Sequence, residues 1–289
     1  MELRQLRYLD AVARHRSFTH AALDLHIAQS ALSQQVRRLE RELGVELLRR
    51  TTRRVEVTEA GELVLARARR ALAEVDGIRA DLDALQGLAR GTLRLGGVPP
   101  VGPVHPAALI ADFSRAHSGV AITVREDVAF TLLAQLRNRC LDLVMALVDP
   151  DDLDGLEGVR LLEEELVVIA PLDHPLARAK RVRAERLTGE ALVSYGVGST
   201  LRDELLALVP GGRVVAEAND LETVRELTAR GLGVTLMPRS VVASHGDRLA
   251  IRPLSPRRVL PVSLVWRADE RPTPTVQAFR EHMLSTMRT

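Results

Sequence analysis

Cysteine and lysine are nearly missing from this sequence. Cys140 is the only thiol in 289 residues, which excludes an internal disulfide and fits a reducing compartment. Lys180 is the only lysine, and arginine supplies the remaining basic charge. Genome composition produces such a bias, so nothing is built on it. No segment approaches the ~20 apolar residues that a membrane helix requires. The start, MELRQLRYLDAV, lacks the cleavable apolar stretch of a secretory leader. The expectation is a soluble, cytoplasmic protein with no membrane partner. Signatures of chemistry are missing as well. There is no phosphate-binding P-loop and no G-x-S-x-G nucleophile elbow, and Gly196-Val197-Gly198 lacks the third glycine of a dinucleotide fingerprint. The eight histidines are scattered without ligand spacing. No nucleophile–base or acid–base set emerges. The chain is therefore expected to be no enzyme, to use no cofactor and to hold no metal.

What is present suits roughly two or three domains. Hydrophobic residues make up 46% of the chain, ample for real cores, and the net charge is only +2. A nucleic-acid partner would need basic charge concentrated locally. One stretch offers it, Ala28 to Gly44, AQSALSQQVRRLERELG. Leu32, Val36, Leu39 and Leu43 recur at helical spacing, and Gly44 sits where a left-handed cap ends a helix. The other face carries Gln29, Ser30, Ser33, Gln34, Arg37 and Arg38, with no acid until Glu40. Amides and guanidiniums match the geometry of base edges, and all three side-chain types hold phosphate oxygens. Taken alone, this is either a DNA-recognition helix or the solvated face of an ordinary amphipathic helix.

Its surroundings favour recognition. Leu3, Leu6, Leu9 and Val12 open a first amphipathic helix. Ser17-Phe18-Thr19 breaks it and offers capping hydroxyls. HAALDLH reads as a short second helix, and Leu25-His26-Ile27 as the turn before the recognition stretch. That order is a helix-turn-helix. Downstream, Arg49, Arg50, Arg53 and Arg54 precede Val55-Glu56-Val57, which alternates like a strand. The pattern reads as a β-wing whose arginines reach phosphates or the minor groove; solvated surface is the alternative. Thr58 then caps a helix of roughly 40 Å. Leu65, Ala68, Leu72, Val75, Ile78, Leu82 and Leu85 form a seam close to a heptad pattern. Such a seam needs a partner, and a second copy of the chain is the simplest one. Gly77 costs about 1 kcal/mol there against alanine, tolerable if a partner helix packs on it. Gly87 and Gly91 end the helix.

LRQLRYLDAVARHRSFTHAALDLHIAQSALSQQVRRLERELGVELLRRTTRRVEVTEAGE resembles, without a gap, the DNA-binding domain of LysR-type transcriptional regulators. The resemblance implies base or phosphate contact at Gln29, phosphate contact at Ser33, a base-facing Gln34, Arg37 one turn along the groove, and Arg53 and Arg54 at the wing tip. Two positions depart from the family pattern: Ala28 replaces a serine and Ser30 a proline, which removes a hydroxyl cap at the helix start.

The second half alternates strands and helices and predicts a mostly parallel sheet. Strands are expected at 92–95, 121–125, 141–147, 165–170, 192–195, 214–218 and 260–266. Helices are expected at 105–116, 131–139, 200–208, 221–230 and 276–287. Asp149-Pro150-Asp151-Asp152 reads as a crossing between two lobes. Two α/β lobes with two crossings resemble periplasmic binding proteins, the fold of the LysR-type effector domain; DHPLA, GLGVTLMP and LDLVMAL are the nearest local matches. The fold class is thus α/β with an N-terminal all-α winged helix-turn-helix. The winged head covers 1–58, the linker and dimerisation helix 59–91, and the effector domain 92–289. Lobe I takes about 92–160 and 266–289, lobe II about 161–265.

Ligands of open α/β sheets bind beyond strand ends, near helix N-termini. Two loops qualify: Pro99, Pro100, Val101 and Gly102 in one lobe, and Gly198, Ser199, Thr200 and Leu201 in the other. The hydroxyls of Ser199 and Thr200 either cap a helix or hold a polar effector. Where family members that bind small carboxylates often carry Ser or Thr, this chain has Pro99, Pro100 and Val128. The expected pocket is more apolar, for a less charged ligand. Cys140 reads as a buried small hydrophobe rather than a redox sensor. Arg139 stands where the family commonly has glycine. The partners expected are double-stranded DNA carrying an interrupted palindromic operator, a small-molecule effector and a second copy, as homodimer or homotetramer; RNA polymerase is a further candidate. A solute-binding module without a regulatory role is the alternative.

Overall fold

The computed structural model describes residues 1–50, 55–85, 90–97, 106–243, 248–268 and 272–287. The chain divides into two compact units. The first is Met1–Gly87 with Asn138–Cys140, and the second is Leu88–Arg137 with Leu141–Thr289.

In the first unit, α1 (Leu3–His15), α2 (Phe18–Asp24) and α3 (Gln29–Leu43) pack around Leu6, Leu9, Val12, Ala21, Leu32, Val36 and Leu39. A capping box of Glu2 and Gln5 starts α1. The Ser17 hydroxyl accepts the His20 N–H at 3.3 Å to start α2. Helix α2 runs earlier than HAALDLH suggests. Phe18 is buried and joins its first turn, and His26, at φ 53°, already turns the chain. Two short antiparallel strands follow, β1 (Leu48–Arg50) and β2 (Val55–Val57), with Arg49 opposite Glu56. One carboxylate oxygen of Glu40 accepts the N–H groups of Leu47 and Leu48, at 3.0 and 3.1 Å. This anchors the wing to α3.

Helix α4 (Glu59–Leu85) is capped by Thr58, whose hydroxyl accepts the Gly61 N–H at 3.0 Å. The expected seam is two different surfaces. Leu65, Ala68 and Leu72 are buried in the unit's own core, because α1 lies along them and Asp10 binds Arg69 at 2.6 Å. Ile78 and Leu82 are 61% and 55% exposed. Among the described residues of the seam, Ile78 and Leu82 are the ones left exposed.

Arg16 ends α1 in a left-handed conformation, φ 47°, and its side chain is exposed. Left-handed backbone costs a residue with a Cβ about 1–2 kcal/mol. Glycine loses part of that gain to its freer unfolded chain. Arg16→Gly is expected to raise the stability of the first unit by about 0.5–1 kcal/mol in denaturant titration.

The second unit opens with β3 (Arg90–Gly97), α5 (Pro106–Ala116), β4 (Gly119–Arg125), α6 (Ala129–Arg137) and β5 (Leu143–Leu147). Strand β3 pairs in parallel with both β4 and β5. Then comes β6 (Leu156–Pro171), a single strand of 16 residues. Beyond it lie β7 (Val182–Arg183), β8 (Ala191–Tyr195), α7 (Thr200–Leu208), β9 (Arg213–Ala218), α8 (Leu221–Ala229), β10 (Thr235–Pro238) and α9 (Arg239–Ala243). Strand β11 (Leu249–Arg267), of 19 residues, returns antiparallel to β6, and α10 (Pro274–Thr286) closes the unit. Phe113 of α5 meets Phe279 of α10 edge-on, ring centres 5.0 Å apart.

Two expectations are corrected here. The sheet is mixed, in the order β10-β6-β11-β5-β3-β4, and antiparallel at β10–β6, β6–β11 and β11–β5. Residues 149–152 make a short 3-10 turn (Pro150–Asp152) capped by Asp149, not a crossing. The two crossings are β6 and β11 themselves, which pair antiparallel between Leu249↔Pro171 and Arg267↔Leu156 with register shifts between Pro253 and Arg258 and between Val262 and Ser263. Both corrections have one cause. A chain that crosses as a strand and returns as a strand pairs with itself antiparallel.

Candidate nucleic-acid interface and ligand cleft

Helix α3 buries Leu32, Val36 and Leu39 and exposes Gln29, Ser30, Gln34, Arg37 and Arg38. Neither Arg37 nor Arg38 has an acidic partner among the described residues. Ser33 departs from the expected face, being 9% exposed. At 100° per residue it flanks Leu32 and borders the apolar stripe. Ala28 makes no side-chain cap, and no acid occupies the first turn of α3. Ser30 does not replace the missing cap. The start of α3 therefore keeps unbonded N–H groups on its positive dipole end. Arg53 and Arg54 lie outside the described residues; Arg49 of β1 is exposed.

The second unit contains a cleft of about 800 Å³. Val128, Ser199, Thr200 and Leu201, named above from the sequence, line it. Gly198 sits at its edge with φ 89°, where an added Cβ would lie 2.9 Å from Phe130 Cβ. The Phe130 N–H donates to the Gly198 carbonyl at 3.1 Å, so the start of α6 touches the loop before α7. Pro99, Pro100, Val101 and Gly102 lie outside the described residues.

Sequence reasoning missed most of the cleft. Its floor is apolar, with Leu132, Met145, Leu147 and Val241. Tyr195 also lines it, but the phenol is buried and donates to the Leu236 carbonyl at 3.0 Å. Burial pushes that phenol's pKa up, which keeps it neutral. The rim is acidic, with Glu126, Asp127, Asp220 and Glu222. Asp220 accepts the Thr223 N–H at 2.7 Å, and that bond holds its carboxyl below the usual range. One local signal was available for it. An aspartate directly before a helical repeat, Asp220-Leu221, marks an N-cap. Ser199 occupies the N-cap of α7, yet its hydroxyl makes no capping bond.

Cys140 is half-buried and follows Arg139, whose φ of 59° is the left-handed geometry that glycine favours.

A winged helix-turn-helix with an open polar face, joined to an α/β unit that encloses a cleft, defines a DNA-binding regulator with a ligand-sensing half. Comparison with known proteins gives the same answer. Residues 3–62 match the family described as "Bacterial regulatory helix-turn-helix protein, lysR family", and residues 86–288 match "LysR substrate binding domain". The RuBisCO operon transcriptional regulator of Allochromatium vinosum is 34% identical, covering 99% of this chain and 96% of the relative. The hydrogen peroxide-inducible genes activator of Dickeya chrysanthemi is 35% identical, covering 98% and 96%. Among solved structures, a full-length OxyR from Pseudomonas aeruginosa superposes with a TM-score of 0.73 at 30% identity, covering 100% of this chain and 95% of that one. The chain belongs to the LysR family of bacterial transcriptional regulators. It is a DNA-binding transcription regulator with an effector-binding domain, and the reading as a bare solute-binding module has no support. No helix among the described residues is long and apolar enough to cross a membrane.

Proposed function

We propose that this regulator reads DNA through the exposed face of α3 and responds to a small molecule held in the cleft. Gln29, Gln34 and Arg37 face bases or phosphates of a major groove, and Ser30 and Arg38 flank them. The unbonded N–H groups at the start of α3 receive a phosphate. Arg53 and Arg54 extend the contact to the neighbouring backbone. The head is residues 1–58, the connecting helix and hinge 59–91, and the effector domain 92–289. Pairing of two α4 helices through Ile78 and Leu82 makes a homodimer, or a homotetramer by further association, on an interrupted palindrome. Like its relatives, it acts as a regulator and not as an enzyme, in the cytoplasm.

The observation that supports this most directly is the pair Arg37 and Arg38, exposed on α3 without acidic partners among the described residues. Arg37→Ala is expected to weaken operator binding by about 5- to 150-fold, the equivalent of ~1–3 kcal/mol for one bidentate base contact. Gel-shift titration at fixed salt measures it. Unchanged affinity removes Arg37 from the contact set.

Two of the relatives named above differ in what they regulate, so the stimulus is argued from this chain alone. With one cysteine, no disulfide closes within a subunit. Switching is therefore assigned to reversible ligand binding between Val128 and the loop of Gly198, Ser199, Thr200 and Leu201. The ligand acts by binding one arrangement of the domain better than another.

A further inference from the structure

We propose that the effector of this cleft is an organic cation, an apolar body bearing an ammonium or guanidinium group. The inference rests on the cleft being the effector site and adds the chemical class of its occupant. Three features converge on it. The cavity is about 800 Å³, large enough for a small organic molecule, and its floor is hydrocarbon. Such a floor rewards an apolar body and gives a small, highly charged solute little in return for lost water.

The charge around the opening has one sign. Glu126, Asp127, Asp220 and Glu222 line the cleft, and no basic side chain does so among the described residues. Arg225 forks onto Glu222 and neutralises it, with one contact at 2.9 Å. Arg202, the first cation along α7, is occupied by Glu217 and by the Tyr195 carbonyl. Among the described residues, Glu126, Asp127 and Asp220 have no cationic partner. Two of them already serve helix starts: Asp127 accepts the Val128 N–H at 2.8 Å and Asp220 the Thr223 N–H. The positive ends of α6 and α8 are thereby screened by fixed negative charge, which leaves that of α7. A helix end is worth about half a positive charge, less than three carboxylates.

The third feature is Ser199. It is nine-tenths buried, lines the cleft and has no hydrogen bond from its hydroxyl among the described residues. The hydroxyl's lone pairs suit an N–H donor placed in the cleft. Sequence alone pointed only to a ligand of low charge; the acidic rim gives that charge a sign.

Three probes of matched shape test the sign: 3-phenylpropylamine, 3-phenylpropan-1-ol and 3-phenylpropanoate, titrated calorimetrically into the full-length protein. The amine is expected to bind at least tenfold tighter than the alcohol, with the carboxylate weakest. The Glu126→Gln, Asp127→Asn double variant should erase most of the preference for the amine, and Ser199→Ala should weaken amine binding without reversing the order. Carboxylate binding as tight as that of the amine overturns the proposal, and so does the failure of all three probes to bind. Val128→Trp separates this failure from that of the cleft reading. If the alcohol or carboxylate binds and this variant abolishes it, the cleft stands and the cation falls. If binding survives Val128→Trp, the ligand lies elsewhere and both fall.

Discussion

Gly61→Ala is expected to destabilise the first unit by about 3 kcal/mol or more and to abolish operator binding. Alanine is normally the better helix former, by about 1 kcal/mol. Here the Cβ would stand 2.1 Å from the Leu47 carbonyl oxygen and 2.7 Å from a Val57 methyl. The first is backbone and cannot swing aside. It also accepts the Thr58 N–H at 3.0 Å, the bond that leads the chain into α4. The first turn of α4 must back away from the wing, opening the core around Leu47, Leu48 and Leu65, all at most 3% exposed. Overpacking alone costs 1–3 kcal/mol, and the lost bonds add to it. Gly77→Ala, in the same helix, is the matched control. Nothing among the described residues lies within 4 Å of its added Cβ, so the isolated chain should gain about 1 kcal/mol. Paired melts of the two variants should move in opposite directions. A loss at position 77 would instead show that a second copy fills that space.

Gly97→Ala should be as damaging in the other unit. Its φ of 78° disfavours any Cβ, and the added atom would overlap the Met145 carbonyl at 1.8 Å. Gly97 and Met145 are register partners of β3 and β5, and both line the cleft. Separating those strands removes the cleft's floor. The backbone penalty of ~1–2 kcal/mol and the overpacking cost together give about 3 kcal/mol or more. Calorimetry should show the effector domain melting early and binding of any cleft ligand lost. Unchanged melting of that domain, with ligand binding retained, would refute the close strand approach.

The helices of the first unit were legible because their signals are local. Leucine spacing gave α3 and Gly44 gave its end; Ser17 reads as a capping hydroxyl, but α2, expected from His20, starts at Phe18. Ser33 was misplaced by its residue type, because a hydroxyl on the border of an apolar stripe looks solvated in sequence. The long seam of α4 was legible as a period, but not as two surfaces, since only folding brings α1 against Leu65 and Leu72. In the second unit β6 and β11 were seen only in part. β11 contains Pro253, Pro256 and Pro261, which argue against a strand. Pro256 falls in a register shift between Pro253 and Arg258, whereas Pro253 and Pro261 sit in the ladder opposite Val167 and Glu163. Glu163-Glu164-Glu165 reads as surface, yet Glu164 is buried and accepts from the Ser240 N–H and hydroxyl at 2.9 and 2.8 Å. Its partner lies 76 positions away, beyond any local pattern. The acidic rim was hidden for the same reason, because its four residues belong to two separate segments.

The ribbon made by β6 and β11 bears on mechanics. Two lobes on flexible tethers gape like a jaw at little cost. Here the tethers are paired with one another on both sides of a break between Pro253 and Arg258, so wide opening would tear amide pairs that nothing nearby replaces. The motion left to the domain is a torsion of the whole ribbon about its length, in the direction a twisted strand pair already leans. A guest settling in the cleft is therefore expected to turn one end of the ribbon against the other by a small angle. The far ends of the lobes, having the longest lever arms, report that turn as the largest displacement.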